Sequence, residues 1–379
     1  MNWLPLPPLG CGRRSPDWFD RYSRRMEEYH LPKATTDRLA LAATIGADGF
    51  ELLTALYAPT TPTALRDLAA VQILRQVWVQ QYYAPEPGRP VRWREEADSP
   101  PPPQRIHSPY DPEARYSSKG SINWVGYKVH LTETCDDNAP HVITHVLTTL
   151  ATTPDDAVTA TIHHNLATHD LLPALHLVDS GYTDADLLVT SRTQHNIDLV
   201  GPVAADGSWQ AKAAQGFDLS QFAVDWEAQS VICPQGKQSV AWRPCVSSGG
   251  QDVVKVRFGR RECAVCSSRS QCTTAKTKPR EVTLRPQAEH AALQAARQPQ
   301  STAEFKLQYA RRAGVESLIS QGVRAGDLRR TRYIGLARTH LQQILMAVGI
   351  TLVRVVAWLQ DPTPSPKRQA HFAALAPTG

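Results

Sequence analysis

A change of period near residue 124 constrains this chain more than any other feature. Val125, Tyr127, Val129 and Leu131 alternate with Gly126, Lys128, His130 and Thr132, the period-two pattern of a half-buried strand. Asp136, Asp137 and Asn138 supply a turn, and residues 142–149 form the returning strand, so residues 124–149 are read as an antiparallel hairpin. A helix over about 156–169, a short apolar strand at 175–178 ending at Asp179, a helix at 187–194 and a strand at 197–200 follow. That order predicts an α/β fold in which helices flank a mixed sheet.

The rest of the chain divides around this block. Residues 1–16 carry four prolines with no period and are expected to be an unstructured start. Residues 17–104 form a helical segment closed by a Pro-rich linker, with Trp18, Tyr22 and Met26 at helical spacing and helices expected over 36–57 and 64–83. Residues 105–200 are the α/β block. Residues 201–286 break the rhythm as a β-rich insertion holding most of the cysteines, 287–360 return to helix, and 361–379 read as a flexible tail. In the last helix Leu341, Ile344, Leu345, Val348, Leu352, Val355, Val356 and Leu359 form one long apolar stripe.

Composition narrows the class. A charged fraction of 20% beside 42% hydrophobic residues fits a globular chain and excludes a disordered one. No run reaches the roughly 18 consecutive apolar residues of a membrane span, and no signal-peptide pattern opens the chain, so no membrane partner is expected. Clustered rather than dispersed cysteines favour a reducing compartment, hence the cytoplasm and association with the nucleoid.

Two carboxylates stand out. Asp179 ends an apolar strand and is followed by Ser180 and Gly181; it reads either as a site residue at a strand tip or as a cap of the next turn. Phe305, Tyr309, Arg312 and Glu316 are spaced four, three and four apart, which on one helix puts two rings, a guanidinium and a carboxylate on one face. Glu316 then reads either as a supported site carboxylate or as one half of an ordinary (i, i+4) ion pair.

With Tyr182, Asp179-Ser180-Gly181 resembles the second-Asp motif of bacterial insertion-sequence DDE transposases. Tyr309, Arg312 and Glu316 resemble the Tyr-Arg-Glu signature around their last catalytic residue; the position seven beyond Glu316, usually Lys, is Val323, with Arg324 beside it. Residues 108–116, 124–135, 177–182 and 314–333 resemble, in order, the group with a long insertion between second Asp and Glu. The resemblance implies a ribonuclease-H-like fold in which three carboxylates hold two Mg²⁺ or Mn²⁺ ions for phosphodiester cleavage and strand transfer. Asp179 and Glu316 would be metal ligands, Tyr309 and Arg312 would position Glu316 and DNA phosphate, and the protein would work as a homo-oligomer on DNA.

The first of the three carboxylates has no counterpart in residues 1–110. Asp37, Asp48 and Asp67 lie in helical sequence and Asp98 runs into Pro100, while Asp111, between Pro109 and Pro112, reads as a turn residue. The expectation is a truncated or frameshifted copy, defective because the strand carrying its first Asp is missing.

Cys233, Cys263, Cys266 and Cys272 have the close spacing of a structural Zn²⁺ site, with reduced buried thiols as the alternative; the zinc would hold together an insert too small to build its own core. Arg324, Arg329, Arg330 and Arg332 follow Glu316 and are expected to meet the DNA backbone, as is a second basic run around the cysteines. Against the transposase reading stand a non-catalytic, zinc-bearing DNA-binding fragment that competes with intact transposase, and an unrelated ribonuclease-H-like nuclease, which would need three carboxylates within the chain.

Overall fold

The structure, a computed structural model, describes residues 17–22 and 31–360. The expectations for 1–16, Met26 and 361–379 lie outside the described residues. Two units emerge, residues 1–112 and 113–379.

The first unit is helical: α1 (Asp17–Tyr22), α2 (Thr35–Leu56), α3 (Thr63–Arg66) and α4 (Ala69–Gln81). Asp48 of α2 accepts hydrogen bonds from Trp18 Nε1 (3.1 Å) and the Tyr22 hydroxyl (2.6 Å), which fastens α1. Gly46 and Gly49 let α4 lie close to α2. A Cβ on Gly46 would come within 2.5 Å of the Tyr82 ring, and one on Gly49 would run into the Trp78 indole. Trp78 Nε1 donates to the Gly46 carbonyl (3.0 Å), so the indole gains a polar partner from the helix it packs on.

The second unit begins with β1 (Arg115–Lys119), β2 (Ile122–Glu133) and β3 (Ile143–Leu150), an antiparallel sheet in the order β1-β2-β3. Then come α5 (Thr159–Thr168), β4 (Leu175–Leu177), α6 (Ala185–His195) and β5 (Asp198–Val200). β4 and β5 pair in parallel, Leu175 opposite Asp198. The fold is therefore mixed α/β, compatible with a ribonuclease-H-like arrangement. The strands do not join into the one mixed sheet that the element order suggests: β2–β3 and β4–β5 stay separate.

Both faces of the hairpin are covered. Cross-strand partners share a face, so Lys128 and His130 lie with Thr149 and Leu147. That face meets α5: Leu147 packs against Val158, Ile162 and Leu166, and His145 bonds Asn165 (3.1 Å). Thr148 points the other way, to His340 (3.1 Å) on the last helix. The alternation that looks half-solvated in the sequence is a strand between two helical layers, and polar His130 is only 3% exposed.

The insertion holds α7 (Trp209–Ala213), β6 (Ala223–Asp225) paired with β7 (Ser230–Ile232), and the antiparallel sheet β8 (Ser239–Val246), β9 (Asp252–Phe258) and β10 (Glu281–Leu284), with α8 (Arg260–Ala264) and α9 (Arg269–Cys272) between the last two strands. It does build a core of its own: Phe222, Val231, Val254, Val256, Phe258, Val282 and Leu284 are buried together. The expectation of an insert too small for this is corrected. Strand β9 turns Val254, Val256 and Phe258 to the same side, and β10 adds Val282 and Leu284.

Four helices close the unit: α10 (Gln287–Arg297), α11 (Ala303–Ala310), α12 (Ala313–Ala325) and α13 (Leu336–Gln360). α13 lies on β3 with Thr339, Gln343, Ala347 and Ile350 buried. Its leucine- and valine-rich stripe is on the other side: Leu341, Leu345, Leu352 and Leu359 are each more than half exposed. By length and composition α2 and α13 are apolar enough to cross a membrane, even though neither contains an uninterrupted apolar run of that length. α13 is nevertheless tied into this unit through Arg354, which reaches Glu133 of β2.

Candidate active site

A cleft of about 980 Å³ runs between β2 and β4, with α5 on one side and α12 and α13 on the other. Asp179 stands at its rim, one residue beyond the buried Val178. Its Oδ1 accepts from the backbone N–H of Ser180 (3.0 Å), so the carboxylate caps the single turn Ser180–Tyr182. The capping reading of the sequence thus holds, and the side chain lines the cleft as well.

Tyr309, Arg312 and Glu316 do not share one helix. The helix breaks at Arg311 and Arg312, and Arg312 is the N-cap of α12. The contacts survive the break. Phe305 and Tyr309 stack at 5.7 Å, the Arg312 guanidinium lies 5.5 Å from the Tyr309 ring centroid, and Arg312 Nη2 bonds Glu316 Oε1 at 2.7 Å. Burial raises the Tyr309 hydroxyl; Arg312 opposes this, while Asp179 and Glu316 both add to it. One phenol therefore senses both carboxylates, and Arg312 lines the same cleft as Asp179.

The placement of α12 fixes where Arg312 and Glu316 lie. At Gly314 the helix comes so close to β2 that a Cβ would lie 2.9 Å from Glu133 Oε1. Arg354 of α13 then binds Glu133 Oε2 (2.6 Å) with Nη1 and Gln321 of α12 (3.1 Å) with Nε. A glycine contact and one guanidinium lock strand and helices together two residues before Glu316.

The sequence reading missed Asp155. It lines the cleft, pairs with Lys128 (3.1 Å), and its Oδ2 would lie 3.2 Å from a Cβ on Gly181. Thr153-Pro154-Asp155-Asp156 looks like a helix start and nothing else; only folding brings it beside the Asp179 turn. Lys128 Nζ also donates to the Thr153 carbonyl (2.7 Å). Tyr182, its hydroxyl 2.6 Å from His130 Nδ1, closes this end of the cleft.

Of the basic residues, Arg329 and Arg330 line the cleft. Arg324 folds back on Ser320 of its own helix, and Arg332 is exposed. Cys233, Cys263, Cys266 and Cys272 line a second, small cavity with Phe217 and Phe258. Burial raises the Cys272 thiol. Among the described residues no three His, Cys, Asp or Glu side chains stand close enough to hold a metal ion. The four cysteines thus share a cavity without forming a ligand set, and a zinc site there is unsupported. For Mg²⁺ or Mn²⁺ the cleft offers hard oxygen atoms in Asp179 and Asp155, while Glu316, held by Arg312, is not among the residues that line it.

Residues 232–356 match the family model described as a transposase DDE domain. Over these residues the chain is similar to a transposase DDE domain. The match covers about a third of the chain, from β7 through most of α13. It includes Tyr309, Arg312 and Glu316, while Asp179 and the β2–β3 hairpin lie outside it. It supports the insertion-sequence DDE transposase resemblance and a transposase-family role. Enzymes of this family act on DNA in the cytoplasm and generally use divalent metals such as Mg²⁺ or Mn²⁺. Comparisons with curated proteins and with solved structures found no match.

Proposed function

We propose that this DDE domain belongs to the machinery of DNA transposition, and that Asp179 and Glu316 are two of the carboxylates serving one metal-dependent phosphodiester cleavage and strand-transfer site. The observation that carries the reading is the shared cleft: Asp179 and Arg312 line it, and Arg312 holds Glu316. Bound Mg²⁺ or Mn²⁺ would activate the attacking oxygen and stabilise the leaving one. Arg312 orients Glu316 and offers its remaining N–H groups to phosphate. Arg329 and Arg330 draw the DNA backbone into the cleft, and Arg324 and Arg332 extend that surface outside it. Two carboxylates balance two divalent ions poorly, so the chain alone is expected to be defective in cleavage.

Fe²⁺ with ascorbate in place of Mg²⁺ tests the shared centre without needing turnover. Backbone cuts are expected near both 179 and 316, with both sets lost in Asp179→Ala. Cuts near only one of the two positions would sink the reading. DNA binding without any metal-dependent cutting would favour the non-catalytic, competing DNA-binding fragment.

The cysteine cavity is proposed as a structural Zn²⁺ site that forms when the four thiolates close on the ion. Metal analysis of protein purified without chelator is expected to give one zinc per chain, lost in Cys263→Ser/Cys266→Ser; a zinc-free protein of unchanged stability rejects it.

The exposed stripe of α13 recurs at intervals of four, three and four residues through 341, 345, 348 and 352, the spacing of a coiled-coil seam. It is proposed as the contact of a homo-oligomer. Sedimentation should show Leu345→Glu/Leu352→Glu as a monomer where the parent chain self-associates; a monomeric parent removes the proposal.

A further inference from the structure

Strand β2 changes partner along its length. Residues 122–126 pair with β1 and residues 127–133 with β3. The stretch against β1 is therefore a two-stranded ribbon of its own, five residues to a strand and about 17 Å long. Lys119 pairs with Ile122, which leaves Gly120 and Ser121 as a two-residue turn. Gly120 has φ +61°, the left-handed conformation that lets so short a turn follow the twist of its strands. The Tyr116 hydroxyl donates to Asn123 Oδ1 (3.1 Å) across the ribbon. A tight turn and a cross-strand clasp make the arm stiff.

Every residue from 118 to 123 is exposed, whereas Gly126 is buried, so the arm stands out from the sheet. Ser118, Gly120, Ser121 and Asn123 make its tip small and polar, and Ile122 among them is 59% exposed. One exposed isoleucine is common on a protein surface; its position is what singles this one out. Ile122 shares a face with its cross-strand partner Lys119, and Lys119 forms no ion pair among the described residues. Both line the cleft, where Lys119, Lys128, Arg312, Arg329 and Arg330 stand against Asp155 and Asp179. An apolar tip with a cation beside it is thus held at a positively lined cleft, which suits a polyanion with an apolar interior.

We infer that the arm is a wedge: its tip enters the minor groove of duplex DNA lying at the cleft and pushes Ile122 between two base pairs. The groove is about 7.5 Å deep, so an arm of about 17 Å reaches the base edges while its base stays outside. An apolar side chain inserted this way partly unstacks the step and kinks the duplex. Lys119 meets a phosphate at the rim of the groove. Tyr116 occupies Asn123 Oδ1, which leaves Asn123 Nδ2 to donate to the adenine and thymine acceptors on the groove floor. Pyrimidine–purine steps are the easiest to unstack, so the wedge favours them. The inference rests on the reading of the cleft as a DNA site and needs nothing from the metal centre.

The test uses the whole chain in EDTA with a duplex of alternating A·T pairs, in which a fluorescent adenine analogue that brightens on unstacking replaces one adenine. The parent chain is expected to raise its emission at least about threefold. Ile122→Ser should abolish the rise while binding the duplex within about threefold of the parent, because the residue is exposed and the phosphate contacts remain. Ile122→Leu keeps an apolar wedge and should keep the rise. Lys119→Gln should weaken binding and lower its salt slope by about one. No rise at saturating parent chain, or an equal rise with Ile122→Ser, overturns the wedge and leaves the metal reading of Asp179 and Glu316 to the iron-cutting experiment. A rise that Ile122→Ser loses, beside iron cuts near only one of 179 and 316, keeps the wedge and removes the shared metal centre. A chain that does not bind the duplex at all removes both the wedge and the cleft as a DNA site.

Discussion

Arg354→Met is expected to destabilise the second unit by about 3–5 kcal/mol, because it leaves a buried carboxylate without its cation. Glu133 is 2% exposed in its side chain, and Arg354 Nη1 lies 2.6 Å from its Oε2. The guanidinium also reaches Gln321 and the His141 carbonyl. Losing it removes three contacts that tie α13 to β2, to the turn after β2 and to α12. The double variant Glu133→Gln/Arg354→Met should recover most of the loss, since a neutral amide is far cheaper to bury than a lone charge. Urea midpoints of the three proteins decide this. A single variant within about 1 kcal/mol of the parent would show that the clamp does not hold α12.

That clamp bears on function because it fixes the register of α12. Gly314 and Gln321 are both held, and Glu316 lies between them on the same short helix. Loosening the clamp should therefore weaken the Glu316 half of any metal centre before it disturbs Asp179, whose position comes from β4 and the turn after it.

How much of this was legible in the sequence differs by element. The β2–β3 hairpin was, because period-two alternation and an Asp-Asp-Asn turn are local signals. The Tyr309–Arg312–Glu316 contacts were, because side-chain spacing survives a break in the helix that bears it. β1 was not: Arg115-Tyr-Ser-Ser-Lys119 has no apolar alternation, and only its pairing with β2 makes it a strand. The buried face of α13 was not legible, because Thr339, Gln343 and Ala347 are small or polar. Close packing on β3 selects them, while the large residues that dominate a hydrophobicity pattern point outward. Asp155 was invisible for a different reason. Its nearness to Asp179 spans a helix and a strand, and no local pattern encodes that distance.

Acid should unfold the second unit early, and three histidines set where. Burial pushes His130, His163 and His176 each down to about 4 from an ordinary value of 6.5. As pH falls, the unfolded chain takes up these protons near 6.5 while the folded chain refuses them until about 4. The stability the neutral rings contribute is complete above pH 6.5 and is lost as pH drops through this window, by about 1.4 kcal/mol per pH unit for each ring. Between pH 7.5 and 5.5 the three together cost up to about 4 kcal/mol, a large share of a typical domain's stability. The geometry adds a reason: His163 Nε2 and His176 Nδ1 share one hydrogen bond at 2.9 Å, and protonating both rings would set two N–H groups against each other. Urea unfolding at pH 7.5 and at 5.5 should show this drop, and His163→Asn should flatten it, since one buried neutral ring is gone. Equal midpoints at the two pH values would mean that these imidazoles are already charged or already wet in the folded protein.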